Sequence, residues 1–195
     1  MEESERMKIR DEQTKEIYCS IGEYIVQFEL LVYNMSLGIR ILIQSQGLKS
    51  TQIAGIILSD LTAMPIKKIL QGMIAEVGSL SKEEQKISDK IFSDIIKVIE
   101  GRNELIHSTW FVGWGNNETV DFSMATGHKY KTTKAGLEIR SMNRTAENFK
   151  EITAEIIRLQ ELVMRLWGCV HGGHKVINNF EIKDGKVFPK FASQS

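Results

Sequence analysis

The sequence predicts an all-α fold: an antiparallel four-helix-type bundle with a small β-hairpin or irregular insertion before its last long helix. Three observations carry this reading. Apolar residues recur at steps of three and four over long stretches, which places them on one helix face. Only two prolines occur in 195 residues, so little interrupts those stretches. Between residues 110 and 143 the helical period gives way to alternation and turn-forming glycines. One domain is expected over 1–195, with its core over about 12–170 and a C-terminal tail at 171–195. The length suits a single core, and no composition break divides it.

Residues 1–11 are charged and read as a frayed end. A first helix is expected to about Ser45, with Ile17, Ile21, Tyr24, Phe28, Leu31 and Met35 on one stripe. Tyr18, Ile25, Val32 and Ile39 form a second stripe beside it, so the helix should pack against two neighbours. Gly47 is the expected stop. A second helical region runs from about Thr51 to Val77, with Ile53, Ile56, Ile57, Leu61, Ile69 and Leu70 among its core and a kink or split at Pro65. A third helix begins at a capping box, Ser81 with Glu84 three residues on, and runs to about His107. Trp110 to about Asn143 reads as the β excursion, with its turn at Gly115-Asn116-Asn117. The last long helix runs from Thr145, its cap, to Cys169, along Phe149, Ile152, Ile156, Leu159, Val163 and Leu166. Asp184-Gly185 marks a turn in the tail, consistent with a small hairpin or strap.

Composition limits the function classes. Lys+Arg and Asp+Glu balance at 25 each, so no global positive field marks a non-specific nucleic-acid binder. Cys19 and Cys169 fall on different helices and read as two reduced thiols, and no metal or cofactor is expected from the spacing of the histidines, cysteines and carboxylates. No secretory signal is read at the charged start and no apolar run is expected to span a bilayer, so the expectation is a cytoplasmic protein without a membrane partner.

The helical pattern breaks at Glu100-Gly101-Arg102-Asn103-Glu104-Leu105-Ile106-His107. The stripe of Ile87, Ile91, Ile95 and Val98 continues to position 102; that of Phe92, Ile96 and Ile99 continues to 103. Both positions hold polar side chains where the pattern asks for apolar ones. An unpaired buried charge is costly, so Arg102 needs a partner or a cavity holding water or an anion. Asn103 and His107, four apart, share a face. Two readings stay open from periodicity. Arg102 and Asn103 could pair with carboxylates such as Glu23 or Glu29 while His107 caps the helix end. Alternatively the three side chains form a chemical site: histidine suits proton transfer near neutral pH, and the always-charged arginine fork matches phosphate oxygens.

Arg102, the polar Asn103, three more positions and then His107, late in a bundle helix and followed by Trp110, resemble the motif of the HEPN superfamily. The resemblance implies a metal-independent endoribonuclease of toxin or host-defence type. Such an enzyme lets the RNA 2′-hydroxyl attack the adjacent phosphorus and leaves a 2′,3′-cyclic phosphate. Arg102, Asn103 and His107 would be its catalytic residues. It also implies a homodimer with a composite active site, and a regulatory protein or antitoxin as a further partner. Some members of that superfamily are instead non-catalytic nucleotide- or protein-binding modules, which is the alternative function. Lys129, Tyr130, Lys131 and Lys134, a basic run with an interleaved aromatic, are the candidate RNA-binding residues. Trp110 and Trp114 are expected chiefly in the core.

Overall fold

Long stripes of apolar residues at helical spacing close into long helices. The computed structural model of the protein describes residues 2–114, 121–134 and 136–190, the side chain of Thr51 excepted. Its helices are α1 (Glu3–Ser45), α2 (Thr51–Leu58), α3 (Ala63–Gly78), α4 (Lys82–Ile106) and α5 (Ala146–His171), with a short 3-10 turn at Val176–Asn178. Five strands join them among the described residues: β1 (Thr109–Phe111), β2 (Met124–Thr133), β3 (Gly136–Thr145), β4 (Phe180–Lys183) and β5 (Lys186–Pro189). The expectation of an all-α bundle is therefore corrected to a helix-dominated mixed α/β fold with two small antiparallel sheets. The physical reason lies in β2 and β3. Leu137 and Ile139 alternate with Glu138 and Arg140, a period of two that a helix cannot hold on one face. The ten-residue strands pair from Met124 with Thr145 to Thr133 with Gly136. The turn expected at 115–117 lies outside the described residues.

The chain divides into two compact units, Met1–Phe28 with Glu100–Glu155, and Glu29–Ile99 with Ile156–Ser195. In the first, Ile17, Tyr24 and Phe28 of α1 are buried with Leu105, Phe122, Ala125 and Phe149. The three-stranded sheet has the order β1-β2-β3. Trp110 faces Gly127 across β1 and β2, and a Cβ on Gly127 would stand 3.0 Å from its indole. That ring also meets Phe149 edge-on at 5.6 Å. Thr145 ends β3 and caps α5: Asn148 N–H donates to Thr145 Oγ1 (3.3 Å), and Thr145 N–H to Asn148 Oδ1 (3.2 Å).

In the second unit Leu31, Met35, Ile39 and Leu42 are buried with Leu70, Ile74, Ile87, Ile91, Ile95, Leu159, Val163 and Leu166. At Gly38 a Cβ would lie 2.6 Å from the Trp167 ring, so glycine is what lets α1 and α5 approach there. Asp94 gathers Lys90 (2.9 Å), Lys97 (3.0 Å) and Arg158 (3.7 Å). Arg158 also donates to the Val187 carbonyl at 2.7 Å. Asp184 and Gly185 turn the β4–β5 hairpin with φ of 49° and 71°, the two positive values a tight two-residue hairpin requires.

Several boundaries and faces differ from expectation. α1 begins at Glu3, not near residue 12, while the second helical region is split in two, one of the two outcomes expected near Pro65. The break falls before Pro65, which sits in the first turn of α3, where its missing N–H costs nothing. Among the described side chains of α2 only Ala54 and Leu58 are buried, one helical turn apart, while Ile53, Ile56 and Ile57 are exposed. On α1 the first stripe is buried except at Ile21, but Tyr18 and Ile25 of the second are exposed. By length and composition α1 also passes the test for a membrane-crossing helix, with a window of mean hydropathy 1.4, of which 39% is buried in the fold.

Candidate functional site

The end of α4 carries the three residues singled out by the broken pattern. Leu105 continues the buried stripe, whereas Ile106 is 40% exposed, so the second stripe leaves the core after Ile99. Arg102 is half-buried, and Asn103 and His107 are exposed. The Arg102 guanidinium lies 5.3 Å above the Phe28 ring, and Phe28 is buried. Its Nη1 donates to Asn103 Oδ1 at 3.4 Å. The negative face of the ring attracts a cation placed over it, which helps to orient the guanidinium. Burial pushes the neighbouring Tyr24 hydroxyl far above its ordinary pKa, with the charge of Arg102 pulling the other way.

The helix end does not need the imidazole as a cap. His107 N–H donates to the Asn103 carbonyl (3.4 Å), Ser108 Oγ to that of Glu104 (2.7 Å) and Trp110 Nε1 to that of Leu105 (2.9 Å). The carbonyls of Asn103, Glu104 and Leu105 are thus met by backbone, hydroxyl and indole donors. Among the described residues the His107 ring has no hydrogen-bond partner and stands in solvent. A Cβ added to Gly101 would meet nothing within 4 Å, and the same holds at Gly22 on α1. Among the described residues neither glycine is required by a close approach.

The basic run is divided by strand geometry. Successive side chains on β2 point to opposite faces. Tyr130 is therefore on one face with His128, Phe111, Leu137 and Ile139, while Lys129 and Lys131 are on the other with Glu138 and Arg140. Arg140 Nε donates to Glu138 Oε1 at 2.7 Å. Lys134 is exposed at the hairpin tip. Trp110 is half-buried against Phe149, and Trp114 is 74% exposed and meets Phe111 edge-on at 4.9 Å. Both cysteines are free, Cys19 exposed and Cys169 buried, and burial pushes the Cys169 thiol up. Among the described residues no three His, Cys, Asp or Glu side chains are placed to share a metal ion.

Sequence reasoning misses two features of this region. The seat of Arg102 on Phe28 joins two distant stretches, and a helical period names a face without naming what lies against it. The aromatic set Trp114, Phe111, His128 and Tyr130 needs the strand register to assemble; its one visible signal is the alternation Phe111, Gly113 and, on β2, His128, Tyr130. No protein-family model, no curated protein and no solved structure matches the chain.

Proposed function

We propose that the protein is a metal-independent endoribonuclease that works as a homodimer, with Arg102, Asn103 and His107 at its active site. The observation that carries this is the state of the α4 end: a solvent-open imidazole that the fold does not use, on the same helix end as an arginine oriented by an aromatic ring. The resemblance of these residues to the HEPN motif supplies the reaction. A neutral His107 takes the proton of the RNA 2′-hydroxyl, and the 2′-oxygen attacks the adjacent phosphorus. The bond to the 5′-oxygen breaks, and that oxygen leaves with a proton from an imidazolium. Arg102 holds the non-bridging phosphate oxygens as charge builds on them. Asn103 keeps the Arg102 fork in place through its Oδ1.

One chain brings one such histidine, and the reaction uses both a base and an acid. A second copy related by a two-fold axis supplies the other. Exposed apolar residues in the same unit, Tyr18, Ile25, Val26 and Ile106, together with the open flanks of Gly22 and Gly101, support an apposition of two copies.

The test is cleavage of a long unstructured RNA by the purified protein in EDTA, with the product ends identified. Cutting to 2′,3′-cyclic phosphate ends is expected, with activity per chain falling on dilution as the dimer dissociates. His107→Ala should abolish it. Cleavage by His107→Ala at the original rate overturns the assignment, and a monomer with full activity overturns the composite site.

A further inference from the structure

The solvent face of the three-stranded sheet carries a line of rings. Trp114 meets Phe111 at 4.9 Å between centroids, Phe111 meets His128 at 5.4 Å, and His128 meets Tyr130 at 6.5 Å. Strand register makes this line: Thr109 pairs with His128 and Phe111 with Thr126, so the three strand residues share a face. Trp114 joins through Gly113, whose φ of 71° turns the chain back, with a site so tight that a Cβ would lie 2.7 Å from Thr14 Oγ1. The two ends of the line are the most open, Trp114 at 74% and Tyr130 at 53% exposure. Tyrosine and tryptophan left this bare on a sheet leave a large apolar area in water.

Charge narrows what covers it. The hairpin Met124–Thr145 holds Lys134 at its tip and Lys129, Lys131, Arg140 and Arg144 on the face opposite the rings, against Glu138 alone, in a chain whose basic and acidic residues balance at 25 each. The field of this excess reaches the ring face within a Debye length of about 10 Å. The occupant should therefore be both anionic and planar-ringed, as a nucleic acid is. The rings are inclined to one another by 79°, 62° and 49°, so bases lying on successive rings cannot stay parallel as in a duplex and must be splayed apart. That favours a single strand over a duplex. Polar edges stand on the same face: His128 Nδ1 lies 2.8 Å from Ser141 Oγ, and Thr126 Oγ1 donates to Asn143 Oδ1 at 3.0 Å.

We propose that this aromatic face is a stacking platform for single-stranded RNA. It rests on the nuclease reading only for the choice of RNA. The chain runs from His107 into β1 within two residues, so the platform begins where the proposed chemistry ends.

The test uses the full chain with His107→Ala, so that binding is read without cleavage, and a fluorescein-labelled oligouridine as probe. Each ring removed should weaken binding about tenfold, so Trp114→Ala with Tyr130→Ala should weaken it about a hundredfold. Tyr130→Phe, which keeps the ring, should bind within twofold of its parent. A double variant that still binds within twofold overturns the platform, as does equal affinity for a duplex of the same length. If the double substitution instead dissociates a dimer and leaves RNA affinity intact, the face belongs to a second copy and the proposal fails. The two readings separate cleanly. A protein with His107 intact that does not cut RNA in EDTA, but whose variants lose binding as stated, sinks the nuclease and keeps the platform. Cutting that persists while binding ignores the rings does the reverse.

Discussion

The two ends of α4 use polar side chains in opposite ways. At the start, Glu84 is 6% exposed and fully engaged: its Oε2 accepts from Ser81 N–H at 3.0 Å and its Oε1 from Ile177 N–H at 3.3 Å. Ser81 Oγ accepts from Glu84 N–H at 3.3 Å in return. Every polar atom named there satisfies the fold. At the far end the carbonyls are met by Ser108, Trp110 and backbone, and the His107 ring stands apart from that work. A polar group that the fold does not use is the better candidate for a function. The same helix thus provides its own control.

The largest expected effect separates the ends by activity. Arg102→Lys keeps the charge and removes the planar fork, so cleavage should fall by about 10²-fold or more. The melting temperature should move much less than the rate, because lysine keeps a cation that can lie over the Phe28 ring. Rates measured on one RNA beside calorimetric melting curves decide it. A variant that cuts normally would return Arg102 to a packing role on Phe28.

How far these ends are legible in the sequence follows from what periodicity encodes. The capping box at Ser81 and Glu84, the cap at Thr145, the turn at Asp184-Gly185 and the stripes through Ile91, Ile95, Leu159 and Leu166 all depend on neighbours within one or two turns, and all are present as read. Periodicity misplaces the exposed Ile56 and Ile57 because an apolar residue on a short helix gives the same signal whether or not anything covers it. Within the β excursion the strands β2 and β3 read only as a basic run, because the outer half of their hairpin is exposed on both faces. Its alternation therefore mixes charge with Leu137 and Ile139 instead of separating a dry face from a wet one. At the candidate site the broken pattern locates Arg102, Asn103 and His107. The Phe28 seat and the ring line depend on tertiary neighbours that no local pattern specifies.

The next effect belongs to the start of α4. Glu84→Ala removes the cap and leaves the Ile177 N–H without its acceptor, which together should cost about 2 kcal/mol. For a chain of this size that lowers the melting temperature by about 4–8 °C. RNA cleavage at 25 °C should be unchanged. Loss of activity in step with Arg102→Lys would erase the contrast between the two ends.

Acid sharpens the same contrast. Hydrogen bonds from Ser81 hold the Glu84 carboxyl below its ordinary pKa, against the opposing effect of burial, with Ile177 adding to the depression. A carboxylate depressed in the folded state contributes stability that is fully present above its unfolded value, about 4.3, and is lost as pH falls through the folded value. Asp94 acts in the same direction: burial opposes its ionisation, and the bonds from Lys90 and Lys97 more than offset that. Glu84→Gln should therefore be less stable than the parent at pH 7, with the gap narrowing below about pH 4. Denaturant titrations at pH 7 and pH 3 measure it; a gap that stays constant would mean that Glu84 acts by shape alone.

The smallest expected effect concerns the lysines that strand geometry divides. For a single strand the salt slope of binding changes by about 0.7 for each phosphate that a cation no longer neutralises. Lys134, at the hairpin tip, can reach a strand lying along the rings, so Lys134→Gln should flatten the slope by about that much. Lys129 and Lys131 leave β2 from the face opposite Tyr130. Replacing both with glutamine should lower affinity only about twofold, through the field of the hairpin within a Debye length of about 10 Å, with little change in slope. Fluorescence anisotropy of an oligouridine across a salt series, with His107→Ala as the background, reads both quantities. If the Lys129 and Lys131 pair flattens the slope by about 1.4 while Lys134→Gln does nothing, the RNA lies on the charged face of the sheet. The rings would then be bystanders.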